Sequence, residues 1–192
     1  MRNFIFKYRG ILLLPSAFII LFFGKPSLIS FLAGTIFIFF GEMLRIWGVG
    51  YAGKTTRSDH VEAPFLVTAG PYSYIRNPLY AGNFFIGLGF SIMAAGGVTC
   101  HAGLFIVLFF IFSAFMVYGA IIPLEETFLI EKFGEDFVNY KHYVPRLIPW
   151  KKPYGVRKGI FSWEPVSTGE IHTFIYLGIA YMIFLFKLVT GI

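Results

Sequence analysis

Charge is scarce in this sequence. Asp, Glu, Lys and Arg make up 14% of 192 residues, against about a quarter in a soluble domain. With 57% hydrophobic residues and a mean hydropathy of +0.72, that scarcity excludes a disordered chain and argues against a soluble globule. Cysteine is nearly absent. The single Cys100 excludes an intrachain disulfide and a zinc site built on several cysteines. The four histidines, His60, His101, His142 and His172, show no paired spacing, so no metal is expected. Alternating β patterns and internal repeats are lacking too. What remains is apolar and aromatic sequence in long runs.

Four of these runs are strong: residues 27–51, 78–97, 98–122 and 171–189. Each is long enough to cross a bilayer as a helix, which takes about 20 residues. A fifth, residues 11–23, is short for a span, but Arg9 and Lys25 flank it and can snorkel. Its basic start imitates a secretory leader, yet no small-residue cleavage site follows, so it reads as a retained anchor. The expected fold is all-α: one membrane domain, residues 1–192, with about five transmembrane helices.

With the N-terminus cytoplasmic, the cations fall on one side: Arg2, Lys7, Arg9, Lys54, Arg57, Arg76, Lys132, Lys141, Arg146 and the basic run 151–158. Lys25 and Lys187 lie opposite, and only Arg45 sits within a span. Membrane topology therefore accounts for the net charge of +6, and no nucleic-acid partner is expected. If residues 11–23 are re-entrant, four spans remain and the same loops stay cytoplasmic. The bilayer lipids are expected neighbours. The apolar outer surface suits a monomer or a dimer equally.

Two cytoplasmic segments, residues 52–77 and 125–170, carry most of the polar chemistry. Gly70-Pro71 breaks regular structure. Asn77-Pro78 reads as an N-cap followed by proline at the first helical position. The helix start, with Arg76 beside it, suits an anion such as a carboxylate or phosphate; a plain helix cap with Arg76 on lipid headgroups fits equally well. Glu125-Glu126 follow Pro123 at an apolar boundary, where two carboxylates require a positive partner: Arg76, Arg146 or a cationic ligand. Beyond them Phe128, Leu129, Phe133, Phe137 and Tyr140 form an apolar stripe broken at Gly134, an interfacial helical segment. Prolines 145 and 149 preclude regular helix next, and that stretch is suited to a lid. Within the second run, Glu42 and Arg45 share a helix face at i,i+3. They are either an ion pair within the span or contacts for a ligand at membrane depth.

Three blocks resemble the isoprenylcysteine carboxyl methyltransferase family and the related phospholipid N-methyltransferases. Phe40-Gly41-Glu42-Met43-Leu44-Arg45 is similar to the family's Gly-Glu-x-x-Arg helix. Leu66-Val67-Thr68 through Gly70, Tyr72, Arg76, Pro78, Tyr80 and Gly82 is similar to its Arg-His-Pro-x-Tyr-x-Gly signature. Glu125-Glu126, Leu129, Phe133-Gly134-Glu135, Phe137, Tyr140 and Val144-Pro145 are similar to its C-terminal ending. The likeness covers residues 40–149.

The resemblance implies an all-helical membrane enzyme that uses S-adenosylmethionine on its cytoplasmic side and methylates a lipophilic acceptor, isoprenoid or lipid-like, reached from the membrane. It implies cofactor contacts from Tyr72, Tyr74, Arg76, Asn77, Pro78, Tyr80, Glu125 and Glu126. Catalytic roles fall to Arg76, Glu126 and Arg146, and a substrate or structural role to Glu42 and Arg45. Arg76 or Arg146 would orient a carboxylate acceptor; an amine would need a base, for which Glu126 is the candidate. A thiol is the third option. Asn77 departs from the signature's histidine and cannot transfer a proton near neutral pH. The span at 171–189 lies outside the resemblance. Two other classes compete: an NADPH-dependent enzyme like the sterol reductases, and a non-enzymatic membrane scaffold. The paired Glu125-Glu126 favours a positive cofactor over polyanionic NADPH.

Overall fold

The structure is a computed structural model; it describes residues 11–53 and 64–191. The basic N-terminal residues, Lys54, Arg57 and His60 lie outside the described residues. Seven α-helices are present among those described: α1 (Leu14–Phe23), α2 (Leu28–Ala52), α3 (Pro78–Ala95), α4 (Cys100–Phe133), α5 (Glu135–Tyr143), α6 (Glu164–Gly169) and α7 (Ile171–Thr190). No strand is found among the described residues. The fold is the expected all-helical, multi-pass membrane bundle.

Among the described residues four helices, α2, α3, α4 and α7, are long and apolar enough to cross a membrane. The fifth expected span is not among them. Residues 11–23 form a 3-10 turn and then the ten-residue α1. Ten residues rise only about 15 Å, roughly half the hydrocarbon thickness.

Helices α2 and α3 are the spine, and glycine sets how closely they approach. Gly41 faces Gly82, and two turns away Gly34 faces Gly89. A Cβ on Gly41 would lie 2.7 Å from the Gly82 carbonyl oxygen, and one on Gly82 2.8 Å from that of Gly41. The backbones touch, so dispersion contact rather than water exclusion holds the pair in lipid. At the far end Ser27 and Ser30 form a capping box, and Ser30 Oγ also donates to the Met93 carbonyl at 3.1 Å.

Helix α4 differs from expectation. Rather than ending near residue 122, it continues through Pro123 to Phe133, 34 residues. At about 1.5 Å per residue it is about 51 Å long, well beyond a bilayer's apolar thickness. The break falls at Gly134 as read, with φ +53, a conformation that a side chain disfavours. Helix α5 then folds back, and Phe137, Tyr140 and Val144 bury against Leu66.

The extra helix α7 packs through Phe184, which is fully buried beside Phe90. Thr35 Oγ1 and Tyr181 hydroxyl lie 3.1 Å apart. Lys187 Nζ donates to the carbonyls of Leu21 and Gly24, both at 2.8 Å. These are carbonyls that the end of α1 leaves unpaired.

Residues 144–162 are not a loose lid but a strap pinned to the 66–77 loop. Arg76 N–H donates to the Pro145 carbonyl (2.8 Å), Asn77 N–H to that of Arg146 (3.1 Å), and Tyr154 N–H to that of Ser73 (2.8 Å). Thr68 N–H donates to Lys158, and Ser162 N–H to Gly50, each at 2.9 Å. Polar backbone that no regular element satisfies is thereby paired.

Candidate functional site

At the bundle end where α3 begins, three segments distant in sequence meet on one carboxylate. Arg76 reaches Glu126 Oε1 through Nη2 at 2.8 Å and Nε at 3.2 Å. Arg146 grips both carboxylate oxygens, Nε to Oε1 at 2.9 Å and Nη2 to Oε2 at 2.8 Å, the bidentate geometry that makes such pairs strong. Lys141 Nζ lies 3.1 Å from Oε2. The long α4 carries Glu126 past the apolar zone, the turn before α3 supplies Arg76, and α5 with the strap supplies the other two cations. Lys141 was not foreseen from the sequence. It lies among charged residues that read as a solvated helix face.

Exposure separates these groups. The side chains of Arg76 and Glu126 are 10% and 4% exposed, while those of Lys141 and Arg146 are 38% and 46% exposed. Arg76 is consumed by the protein: its Nη1 also donates to the Lys141 carbonyl at 2.9 Å and to that of Val144. Lys141 and Arg146 can still turn toward solvent. Hydrogen bonding to Glu126 pushes the Arg146 guanidinium above its ordinary pKa, so it stays charged. Among the described residues three cations, Arg76, Lys141 and Arg146, face Glu126.

The remaining expected residues surround this cluster unevenly. Tyr80 donates to Glu125 Oε1 at 2.6 Å. Tyr140 hydroxyl donates to the Tyr72 carbonyl at 2.8 Å and fixes the 3-10 turn Gly70–Ser73. Burial pushes the phenols of Tyr72 and Tyr140 above their ordinary range, with Glu125 adding to the effect at Tyr72 and Tyr72 at Tyr140. Tyr74 is set apart, 40% exposed with its ring 6.3 Å from Trp47. Pro78 is the first residue of α3, as expected, but the Asn77 side chain does not cap the helix. Its Nδ2 instead donates to the Arg146 carbonyl at 3.3 Å, so Asn77 ties the helix start to the strap.

Glu42 and Arg45 belong to a second cluster, inside the bundle. Arg45 Nε faces Glu42 Oε2 at 3.4 Å, but the pair is not self-contained. Arg45 also donates to Asn83 Oδ1 on α3 and to Glu170 Oε2 at the junction of α6 and α7. Glu170 is 2% exposed. Both partners escaped the sequence reading: Asn83 lies within an apolar run, and Glu170 at the end of a loop. Among the described residues no group of three or more His, Cys, Asp or Glu is placed to hold a metal ion.

The similarities to known proteins run through this geometry. Residues 33–131 match the sequence model of the isoprenylcysteine carboxyl methyltransferase (ICMT) family. Protein-S-isoprenylcysteine O-methyltransferase of Xenopus laevis is 30% identical over 123 residues, 62% of this chain and 40% of that protein. That of Rattus norvegicus is 30% identical over 132 residues, 67% and 43%. Protein-S-isoprenylcysteine O-methyltransferase B of Arabidopsis thaliana is 30% identical over 124 residues, 61% and 58%. The chain thus spans about two fifths to three fifths of the length of these relatives. No solved structure matches it. The matched region holds the α2–α3 spine, the Arg76 turn and Glu125-Glu126, and the chain belongs to the isoprenylcysteine carboxyl methyltransferase family.

Proposed function

We propose that this chain is an S-adenosylmethionine-dependent methyltransferase of the membrane, with its site on the cytoplasmic side and a lipophilic acceptor taken from the bilayer. The observation that carries this reading is the Glu126 cluster. Arg76 and Glu126 form a buried frame, while Arg146 and Lys141 present accessible positive charge beside it. Such a surface suits the carboxylate of S-adenosylmethionine. Glu125, next to Tyr80, suits its ammonium. Tyr72 and Tyr74, on one turn, are assigned to the adenosine, and Asn77 and Pro78 to holding that turn.

When bound, the cofactor supplies an electrophilic methyl group on a sulfonium. The chain's contribution is to fix the turn, orient the acceptor and exclude water. Glu126, held by three cations, is a frame residue here and not the base. The relatives' printed name specifies an isoprenylcysteine acceptor; for this chain the acceptor is assigned only as lipophilic. Family membership favours neither the reductase nor the scaffold reading.

The test is thermal stability of detergent-purified protein titrated with S-adenosylmethionine, S-adenosylhomocysteine and NADPH, in the wild type and Arg146→Ala. A ligand that binds only the folded state raises the midpoint. A rise with the first two ligands, reduced in the variant, is expected. A rise with NADPH alone, or no rise with any ligand, overturns the proposal.

A further inference from the structure

The strap, residues 144–162, is one-sided in charge. It holds five cations, Arg146, Lys151, Lys152, Arg157 and Lys158, and no Asp or Glu. Arg146 pairs with Glu126 and Lys158 with Asp136, while Lys151 donates to a neutral acceptor, the His142 carbonyl, at 2.9 Å. Lys152 and Arg157 are exposed, and among the described residues no carboxylate pairs with either. Large apolar side chains accompany these cations. Ile148, Trp150, Val156, Ile160 and Trp163 are each more than half exposed. None lies on a membrane-length helix, so the lipid tails around the spans do not account for them. Apolar groups gathered in one exposed segment mark a contact surface.

The strap's ends fix its depth. Ser162 N–H donates to the Gly50 carbonyl, which lies about 33 Å along α2 from Leu28. That length exceeds the ~30 Å hydrocarbon core, so Gly50 reaches the headgroup zone. At the other end Asn77 N–H, just ahead of the first residue of α3, holds the Arg146 carbonyl. Both ends are level with span termini, and the strap runs along the membrane surface between them. Tryptophan suits that zone, with an apolar ring and a polar N–H, and unpaired Lys and Arg suit anionic headgroups. We propose that the strap is a docking surface for anionic phospholipid, with Trp150, Ile160 and Trp163 among the upper acyl chains and Lys152 and Arg157 on the phosphates. Arg146 belongs to the same segment, so a strap seated on the leaflet holds the Glu126 cluster at headgroup depth. The surface rests on charge, exposure and depth, not on the methyltransferase reading.

The experiment reads Trp150 alone, in the full chain carrying Trp47→Phe and Trp163→Phe, which remove the other two tryptophans. The protein is reconstituted in vesicles of equal phosphatidylcholine and phosphatidylglycerol, with bromine high on the acyl chains of one lipid or the other to quench indole emission on contact. Quenching by both is expected, with phosphatidylglycerol enriched at Trp150 at least about fivefold, the weight of one cation near an anionic surface. Lys152→Ser with Arg157→Ser should bring that enrichment to near parity without lowering the thermal midpoint, since neither side chain has a carboxylate partner to lose. Salt at 1 M, where the screening length falls to about 3 Å, should do the same with no further substitution. Trp150 unquenched by either lipid places the strap in water, as a soluble protein partner would require, and overturns the proposal. Equal quenching by the two lipids, or enrichment indifferent to both salt and the two substitutions, overturns it as well. Titration of the same samples with S-adenosylmethionine reports separately on the proposed function, and its failure leaves the lipid result standing.

Discussion

Single residues in this protein differ in consequence according to how buried their partners are. Glu126 is the shared counter-ion of three cations, one of them Arg76 at 10% exposure. Glu126→Ala strands that guanidinium, and loss of a buried partner costs about 3–5 kcal/mol; a large fall in thermal midpoint in detergent is the expected result. Arg146 is half-exposed. Arg146→Ala should cost no more than about 1 kcal/mol of stability, and calorimetric titration should show S-adenosylmethionine affinity reduced at least about tenfold, the loss of one charge-assisted contact. Arg76, Glu126 and Arg146 were all visible as lone charges at the margins of apolar runs. Their division into frame and accessible surface was not visible. Exposure depends on what packs around a residue: Lys141 lies on α5 and Val144 just after it, and the Gly134 break marks a bend without saying where the chain folds next.

At the level of elements, the bundle depends on glycine where two helices touch and not where one faces lipid. Gly82 meets the Gly41 carbonyl and Arg45 Cγ. Gly82→Val forces backbone against backbone, so its cost should exceed the ~1–3 kcal/mol of ordinary overpacking. Loss of monodisperse protein in size-exclusion chromatography would register it. Gly178 on α7 has nothing within 4 Å. Gly178→Ala should leave the midpoint unchanged or raise it, since alanine favours helix by about 1 kcal/mol. Four of the five apolar runs form membrane-length helices as read. Among the described residues the fifth forms only the ten-residue α1, and the fourth runs past its apolar end because Pro123 is accommodated within α4. Proline marks a probable helix boundary, not a certain one.

For the whole molecule, the bundle has two chemically distinct ends. The Glu126 cluster, the strap and the basic run lie at one; the Ser27 capping box, Cys100 and Lys187 lie at the other. If the positive-inside bias sets orientation, Cys100, exposed and the only cysteine in the chain, faces away from the cytoplasm. A membrane-impermeant maleimide should label it in intact cells or right-side-out vesicles. Lys152→Cys in a Cys100→Ser background should label only after permeabilisation. The opposite pattern would place the proposed site outside.

Composition and hydropathy alone determined that this chain is a helical membrane protein, because the bilayer imposes one length and one backbone solution on every span. Motif order alone pointed to the family, because its three blocks sit within or beside those spans. Only the tertiary structure decided which charges meet. Arg45 lies 125 positions from Glu170, and Arg76 lies 50 from Glu126. Pairing at such separations follows from the glycine-set approach of α2 and α3 and from the strap that returns across the loop. Residue type and local spacing carry no record of either.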